Sequence, residues 1–218
     1  MDRSEELLEQ QKQFIGNASH ELQTPLAVLG NRLEWLLDRT ELTEEQMGEL
    51  FQMQRTLGGI VRLNRTLLLL TKIDNGQFPE STEVDIAGLV REQVALCEEI
   101  YESRGIACSV NCAGPLAVRM NESLASVLVA NLVKNAFIHT AAGGGIRIDI
   151  EDRTLSVAND GDASLDGERI FERFYQGSKK EGSTGLGLAL VNAVGRYYGL
   201  RVAYRFESGR HVFSVAWP

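Results

Sequence analysis

One short segment, Phe14-Ile15-Gly16-Asn17-Ala18-Ser19-His20-Glu21-Leu22-Gln23-Thr24-Pro25-Leu26, sets a nucleophile beside a base and one helical turn from a hydroxyl. A neutral imidazole is a good nucleophile near neutral pH. Glu21 can accept or orient the imidazole proton and so sharpen His20. Thr24 falls four residues on, the spacing that shares a helix face, and its hydroxyl can position a water. Pro25 inside a helix removes a backbone hydrogen bond and predicts a bend close to the imidazole.

A second set of residues lies in the other half of the chain. Asn131 and Asn135 have i, i+4 spacing, so both carboxamides can face one pocket, and an amide oxygen is a hard ligand suited to Mg²⁺. Gly185-Leu186-Gly187-Leu188 opens a helical pattern, where bare backbone N–H groups and a helix N-terminus can hold phosphate oxygens. Arg173 can supply a cation to developing phosphoryl charge. Asn159 stands two residues before Gly161 at the end of a strand pattern, and alternation directs Asp160 to the opposite face.

Two patterns position these groups. Leu8, Ile15, Leu22, Leu29 and Leu36 recur every seven residues, with Ala18, Leu26 and Leu33 between them. Such a seam predicts a bundle helix, and with Leu22 at position a, His20 falls at f, facing outward. The polar stretch 38–43 ends it, and Thr43 with Gln46 forms a capping-box signature for a second helix. That helix carries Leu50, Met53, Leu57, Ile60 and Leu67, with Asn64 at an a position. A turn near residue 42 makes an antiparallel hairpin with His20 level with about residue 64. Two helices cannot enclose both seams, so a dimeric four-helix bundle is expected. The spacing then changes to alternating helices and strands: helices over 86–103 and 122–139, strands over 106–111, 146–151 and 154–158, a helix ending near Tyr198, and a hairpin of 201–206 with 211–217. The expected division is a helical hairpin over 1–75, a linker over 76–84 and an α/β domain over 85–218.

The net charge, 22 − 30 = −8, argues against a nucleic-acid partner. Cys97, Cys108 and Cys112 are odd in number and lack CxxC spacing, which suits reduced thiols in cytoplasm. No apolar run is long enough to span a bilayer, and the acidic, polar start is no signal peptide, so any membrane anchor belongs to segments upstream.

The His20 segment resembles the H-box of histidine kinases, usually His-Glu-Leu-Arg-Thr-Pro-Leu, with Gln23 in place of the basic residue. Asn131 to Asn135 resembles the N-box of that family's ATP-binding fold, which gyrase, Hsp90 and MutL share. Asn159-Asp160-Gly161 resembles the first glycine box, Ile170 to Tyr175 the F-box, and Gly185 to Leu188 the second glycine box. The resemblance implies a Bergerat-type α/β sandwich after the hairpin. It implies that His20 is the phosphoacceptor, Glu21 its base, and Thr24 the residue used in dephosphorylating a response regulator. It implies ATP contacts from Asn131, Lys134, Asn135, His139, Asn159, Gly161, Arg173, Phe174, Gly185, Leu186, Gly187 and Leu188, with Asn135 on Mg²⁺. The implied partners are a second copy of the chain and a regulator's receiver domain.

Three departures stand out: Asn159 for the adenine-reading aspartate, Ile138 for a basic residue near the phosphates, and Gln176 for the arginine ending the F-box. They leave open an alternative, a dimeric scaffold with weakened ATP binding that acts by holding or dephosphorylating its regulator. Arg55, Arg62, Arg65 and Lys72 form a basic stripe on the outward positions of the second helix, a surface for an acidic partner or an ordinary solvated face.

Overall fold

The computed structural model describes residues 3–177 and 184–218, with side chains from residue 16 onward, so Leu8 and Ile15 of the first seam lie outside the described side chains. The chain divides into two compact units, Met1–Asn75 and Gly76–Pro218, and each is treated separately below.

The first unit is a hairpin of α1 (Arg3–Arg39) and α2 (Glu44–Asp74). Thr43 caps α2 with the expected box: its side chain accepts from Gln46 N–H, and the Gln46 side chain accepts from Thr43 N–H at 3.0 Å. α1 passes through Pro25 as one helix. Of the expected seam residues with described side chains, only Leu26 and Asn64 are buried within one chain. Leu22, Leu29, Met53 and Ile60 are exposed, and the buried apolar residues of α2 are Leu68, Leu70 and Ile73, outside that seam. One helix can cover only one stripe of its neighbour, so the remaining stripe stays open.

The second unit contains β1 (Thr82–Asp85), α3 (Ile86–Ile100), β2 (Ala107–Cys112), β3 (Ala117–Met120), α4 (Glu122–His139), β4 (Gly145–Glu151), β5 (Thr154–Asp160), α5 (Gly187–Tyr198), β6 (Arg201–Glu207) and β7 (Arg210–Ala216). Asp85 and Asn121 cap α3 and α4 with their side chains. Five strands form one sheet in the order β2-β4-β5-β7-β6, antiparallel except for β2 with β4. Two-residue turns at Asp152-Arg153 and Ser208-Gly209, all with positive φ, close β4–β5 and β6–β7, the geometry that matches strand twist. One sheet face carries Ile146, Ile148, Ile150, Leu155, Val157, Phe213 and Val215, all buried. The other face carries polar side chains such as Arg147, Asp149 and Ser156, as alternation requires. Leu124, Leu128, Leu132 and Phe137 make α4 the buried helix of the layer.

Two expectations need correction. The segment 76–84, expected as linker, is tied into the second unit. Tyr197 Oη donates to Phe78 O at 2.9 Å, and Thr82–Asp85 pairs antiparallel with β3. Both strands have four residues and one partner lies beyond α3, so neither alternation nor proximity marked them. The helix expected over 86–103 ends at Ile100 and tightens into a 3₁₀ turn, Glu102–Arg104, closed by Gly105 at φ +59°. That turn delivers Arg104 to the C-terminus of α4, where its guanidinium donates to Phe137 O at 2.7 Å and to Thr140 O. A cation bonded to the last carbonyls also complements the helix dipole.

Candidate functional site

In the hairpin, His20, Glu21, Gln23 and Thr24 are all exposed on α1, as the heptad position required. The stripe adjoining this face turns inward: Ser19 is buried, and a β-carbon at Gly16 would lie 3.1 Å from Thr71 Cγ2, so α1 and α2 approach closely there. The expected height match between His20 and residue 64 takes a specific form. Asn64, buried on α2, donates from Nδ2 to the carbonyl oxygen of Ser19 at 2.7 Å. Sequence reasoning placed Asn64 in the seam but did not foresee this bond. Arg62, Arg65 and Lys72 are exposed.

In the second unit the glycines mark where backbone and side chains must meet. A β-carbon at Gly187, the first residue of α5, would lie 2.9 Å from Asn131 Oδ1, so the amide-bearing face of α4 adjoins the start of α5. Asn131 is oriented by its own helix, donating from Nδ2 to Val127 O at 2.7 Å. Asn135 follows one turn later and is half-buried; Lys134 is exposed. Gly185 has φ +68°, and a β-carbon there would come within 2.7 Å of the Phe174 carbonyl carbon and the Tyr175 oxygen. Phe174 N–H donates to Gly185 O at 3.0 Å, so the F-box and second glycine box are directly joined. Phe174 itself has φ +67° and an exposed ring, while Ile170 is buried and anchors the segment. Leu186 is fully buried under the turn.

Asn159 and Asp160 diverge as strand alternation demands. Asp160 accepts from Gly145 N–H at 2.6 Å and pairs with Arg210 at 3.1 Å. Asn159 is 1% exposed, its Nδ2 donates to Asp160 O at 3.1 Å, and its Oδ1 has no hydrogen-bond partner among the described residues. A buried amide oxygen without a donor is costly, and it fits a ligand that brings an N–H.

A histidine outside the expected set borders this spot. His211 lies opposite Asn159 in the β5–β7 ladder, and its ring covers Gly161 so closely that a β-carbon there would fall 2.2 Å from Nε2. Tyr204 Oη accepts from Leu165 N–H at 2.9 Å and faces His211 Nδ1 at 3.0 Å. The direction of that bond follows the imidazole tautomer. Burial lowers the His211 pKa, opposed in part by the Asp162 carboxylate. Only the strand register reveals this residue, because nothing near it in sequence marks it.

Two family models match the two units. Residues 10–76 match the His Kinase A (phospho-acceptor) domain, and residues 120–218 match the histidine kinase-, DNA gyrase B-, and HSP90-like ATPase. The chain belongs to the sensor histidine kinase family. Among sensor kinases, the phosphate regulon sensor protein PhoR of Pseudomonas aeruginosa is 33% identical over 205 residues, covering 88% of this chain and 46% of PhoR. The heme sensor protein HssS of Staphylococcus aureus is 32% identical, with 83% and 41% covered. The chain thus spans about half the length of these sensor kinases. Among solved structures, full-length ShkA in complex with AMPPNP superposes with a TM-score of 0.76 at 28% identity, over 93% of this chain and 45% of ShkA. The catalytic domain of histidine kinase ThkA gives 0.56 at 26% identity, over 62% and 93%. The fold is therefore the kinase core's: a two-helix hairpin followed by an α/β ATPase-type domain. Among the described residues, no helix is long and apolar enough to cross a membrane.

Proposed function

We propose that the chain transfers the γ-phosphoryl group of ATP to His20 and then to an aspartate of a response-regulator receiver domain, acting as a homodimer on the cytoplasmic side. The observation that carries this reading is the exposed His20–Glu21–Thr24 face, which lies within the segment matched by the phosphoacceptor model. In the first step an imidazole nitrogen attacks the γ-phosphorus, an N–P bond forms, the P–O bond to ADP breaks, and Glu21 takes the imidazole proton. In the second, the regulator's carboxylate attacks the same phosphorus and returns the imidazole. Thr24, a turn away, orients water for hydrolysis of the regulator's acyl phosphate; Thr24→Ala should slow that reaction and spare autophosphorylation.

The nucleotide's fit rests on the unpartnered Asn159 Oδ1, which can accept from the adenine amino group. Gly185, Leu186, Gly187 and Leu188 offer backbone and a helix start to the phosphates, and Phe174 and Arg173 border them. Lys134 and His139 lie on the same helix as Asn131 and Asn135. Asn135 would hold Mg²⁺ jointly with the phosphates; the ion supplies charge neutralisation to the transferring group. Membrane attachment and sensing are assigned to segments outside this chain, and Arg62, Arg65 and Lys72 to steering the acidic regulator.

The test is incubation with γ-labelled ATP and Mg²⁺. The expected product is an acid-labile, base-stable phosphoramidate that His20→Gln abolishes. Label that persists in His20→Gln, on His139 or His211, overturns the assignment.

A further inference from the structure

Asn64 is a polar residue buried on α2, one turn before buried Leu68 and two turns before Thr71, in a stripe that also carries Leu57, Val61 and Leu67. A buried carboxamide in such a stripe is unfavourable unless bonded, and a lone asparagine at a seam position typically fixes register. Its bond has an informative target. The acceptor, Ser19 O, belongs to the peptide group that joins Ser19 to His20, so Asn64 Nδ2 grips, at 2.7 Å, the backbone plane from which the His20 side chain springs. Two nearby features show why that plane needs holding. Pro25 has no N–H, so the Glu21 carbonyl loses its i+4 partner half a turn after Ser19. Gly16, one turn before, has no side chain to key α1 into α2, where a β-carbon would fall 3.1 Å from Thr71 Cγ2.

We propose that Asn64 is the positioning residue of the phosphoacceptor: its bond to Ser19 O fixes the height and rotation of α1 at which His20 meets the transferring phosphoryl group. This rests on His20 being the phosphoacceptor. Asn64 acts through the backbone and touches neither nucleotide nor imidazole, so its loss should lower turnover without altering ATP affinity. Small misplacements of a nucleophile cost one to two orders of magnitude in rate.

The experiment uses the full chain and two substitutions that remove the donor with opposite effects on packing, Asn64→Leu (apolar) and Asn64→Asp (isosteric, acceptor only). With γ-labelled ATP, each should autophosphorylate about tenfold more slowly at saturating ATP, with an unchanged KM for ATP. Phosphoramidate is a small donor that needs no nucleotide site: its P–N bond breaks, an N–P bond to the imidazole forms and ammonia leaves. It should label exposed His20 in both variants at the unaltered rate. Asn64→Gln, which keeps an amide donor, should recover part of the ATP-driven rate. Wild-type turnover with ATP in either folded variant overturns the proposal. Equal loss with ATP and phosphoramidate, or melting of both variants, makes Asn64 a residue of hairpin stability only and also overturns it. Label surviving His20→Gln refutes the underlying phosphoacceptor reading instead, so the two failures are distinguishable.

Discussion

The hairpin and the catalytic unit treat their apolar residues in opposite ways. In the α/β unit, Leu124, Leu128, Ile148, Leu155 and Val157 have no exposed surface at all, and polar side chains line the outer sheet face. In the hairpin, Leu29, Trp35, Phe51 and Met53 each keep more than half of their surface exposed. A patch of that kind on a soluble domain marks a contact surface. The α/β unit thus encloses a core of its own, with Leu96, Ile100 and Phe174 exposed outside it, whereas the hairpin leaves a continuous apolar stripe open, the surface on which the proposed homodimer rests. Catalysis is divided in the same way. The candidate nucleotide residues sit in a unit with its own core, and the proposed nucleophile rides on an element that the proposed dimer would complete.

The largest expected effect breaks this contrast directly. Leu29→Asp with Met53→Asp puts two charges into the open stripe, and the dimer should weaken by ~100-fold or more, giving monomers by light scattering at micromolar concentration. Met53 serves better than Leu57, because Leu57 packs toward Gly30 inside the hairpin. ATP affinity should stay unchanged. Persistent dimers would place the dimer contact elsewhere.

The second effect is on the closed unit. Gly185→Ala puts a side chain at φ +68° and drives its β-carbon to 2.7 Å from the F-box backbone. The left-handed conformation alone costs ~1–2 kcal/mol. ATP affinity should fall about tenfold or more and the unit should melt earlier, while the dimer persists. Unchanged ATP binding would remove this turn from the site.

Legibility in the sequence follows the same division. The heptads, the Thr43 box and the f position of His20 were readable because a helix repeats locally. The exact extent of α4 was readable because Asn121 caps it. The β1–β3 ladder was not, since two four-residue strands carry almost no period and pair across α3. Nor were the Asn64–Ser19 bond and the His211–Gly161 contact, which depend on interhelical rotation and strand register respectively. Composition can name a polar residue in a seam; only packing tells what it holds.

A smaller effect sharpens the nucleotide reading. Asn159 can accept from an adenine N–H but lacks the charge-assisted bond of a carboxylate, a deficit of ~1 kcal/mol. Asn159→Asp should leave ATP affinity unchanged or raise it several-fold, and Asn159→Ala should lower it further and reduce selectivity over GTP. Titration calorimetry on the three proteins checks this. If Asp160→Ala abolishes binding and Asn159→Ala does not, the register of the box is wrong; if none binds ATP, the scaffold reading takes its place.

The smallest effect is a pH dependence that belongs to the closed unit. Burial holds the His211 pKa below its ordinary value of 6.5, opposed in part by the Asp162 carboxylate. A histidine that is harder to protonate when folded binds more protons when unfolded. Its contribution to stability is therefore complete above about 6.5 and is lost as pH falls through the lower, folded value. Acidification below neutrality should thus destabilise the unit with a slope of no more than one proton from this group. The two tryptophans separate the units: Trp35 is exposed on the hairpin and Trp217 is buried in the α/β unit. In a Trp35→Phe background, Trp217 fluorescence should report a melting temperature that drops between pH 7.5 and 5.5. His211→Gln, which cannot titrate yet can still accept from Tyr204, should flatten that drop. An identical pH slope in the His211→Gln protein would show that the imidazole over Gly161 does not couple to folding, and the acid sensitivity would then have to come from the carboxylates.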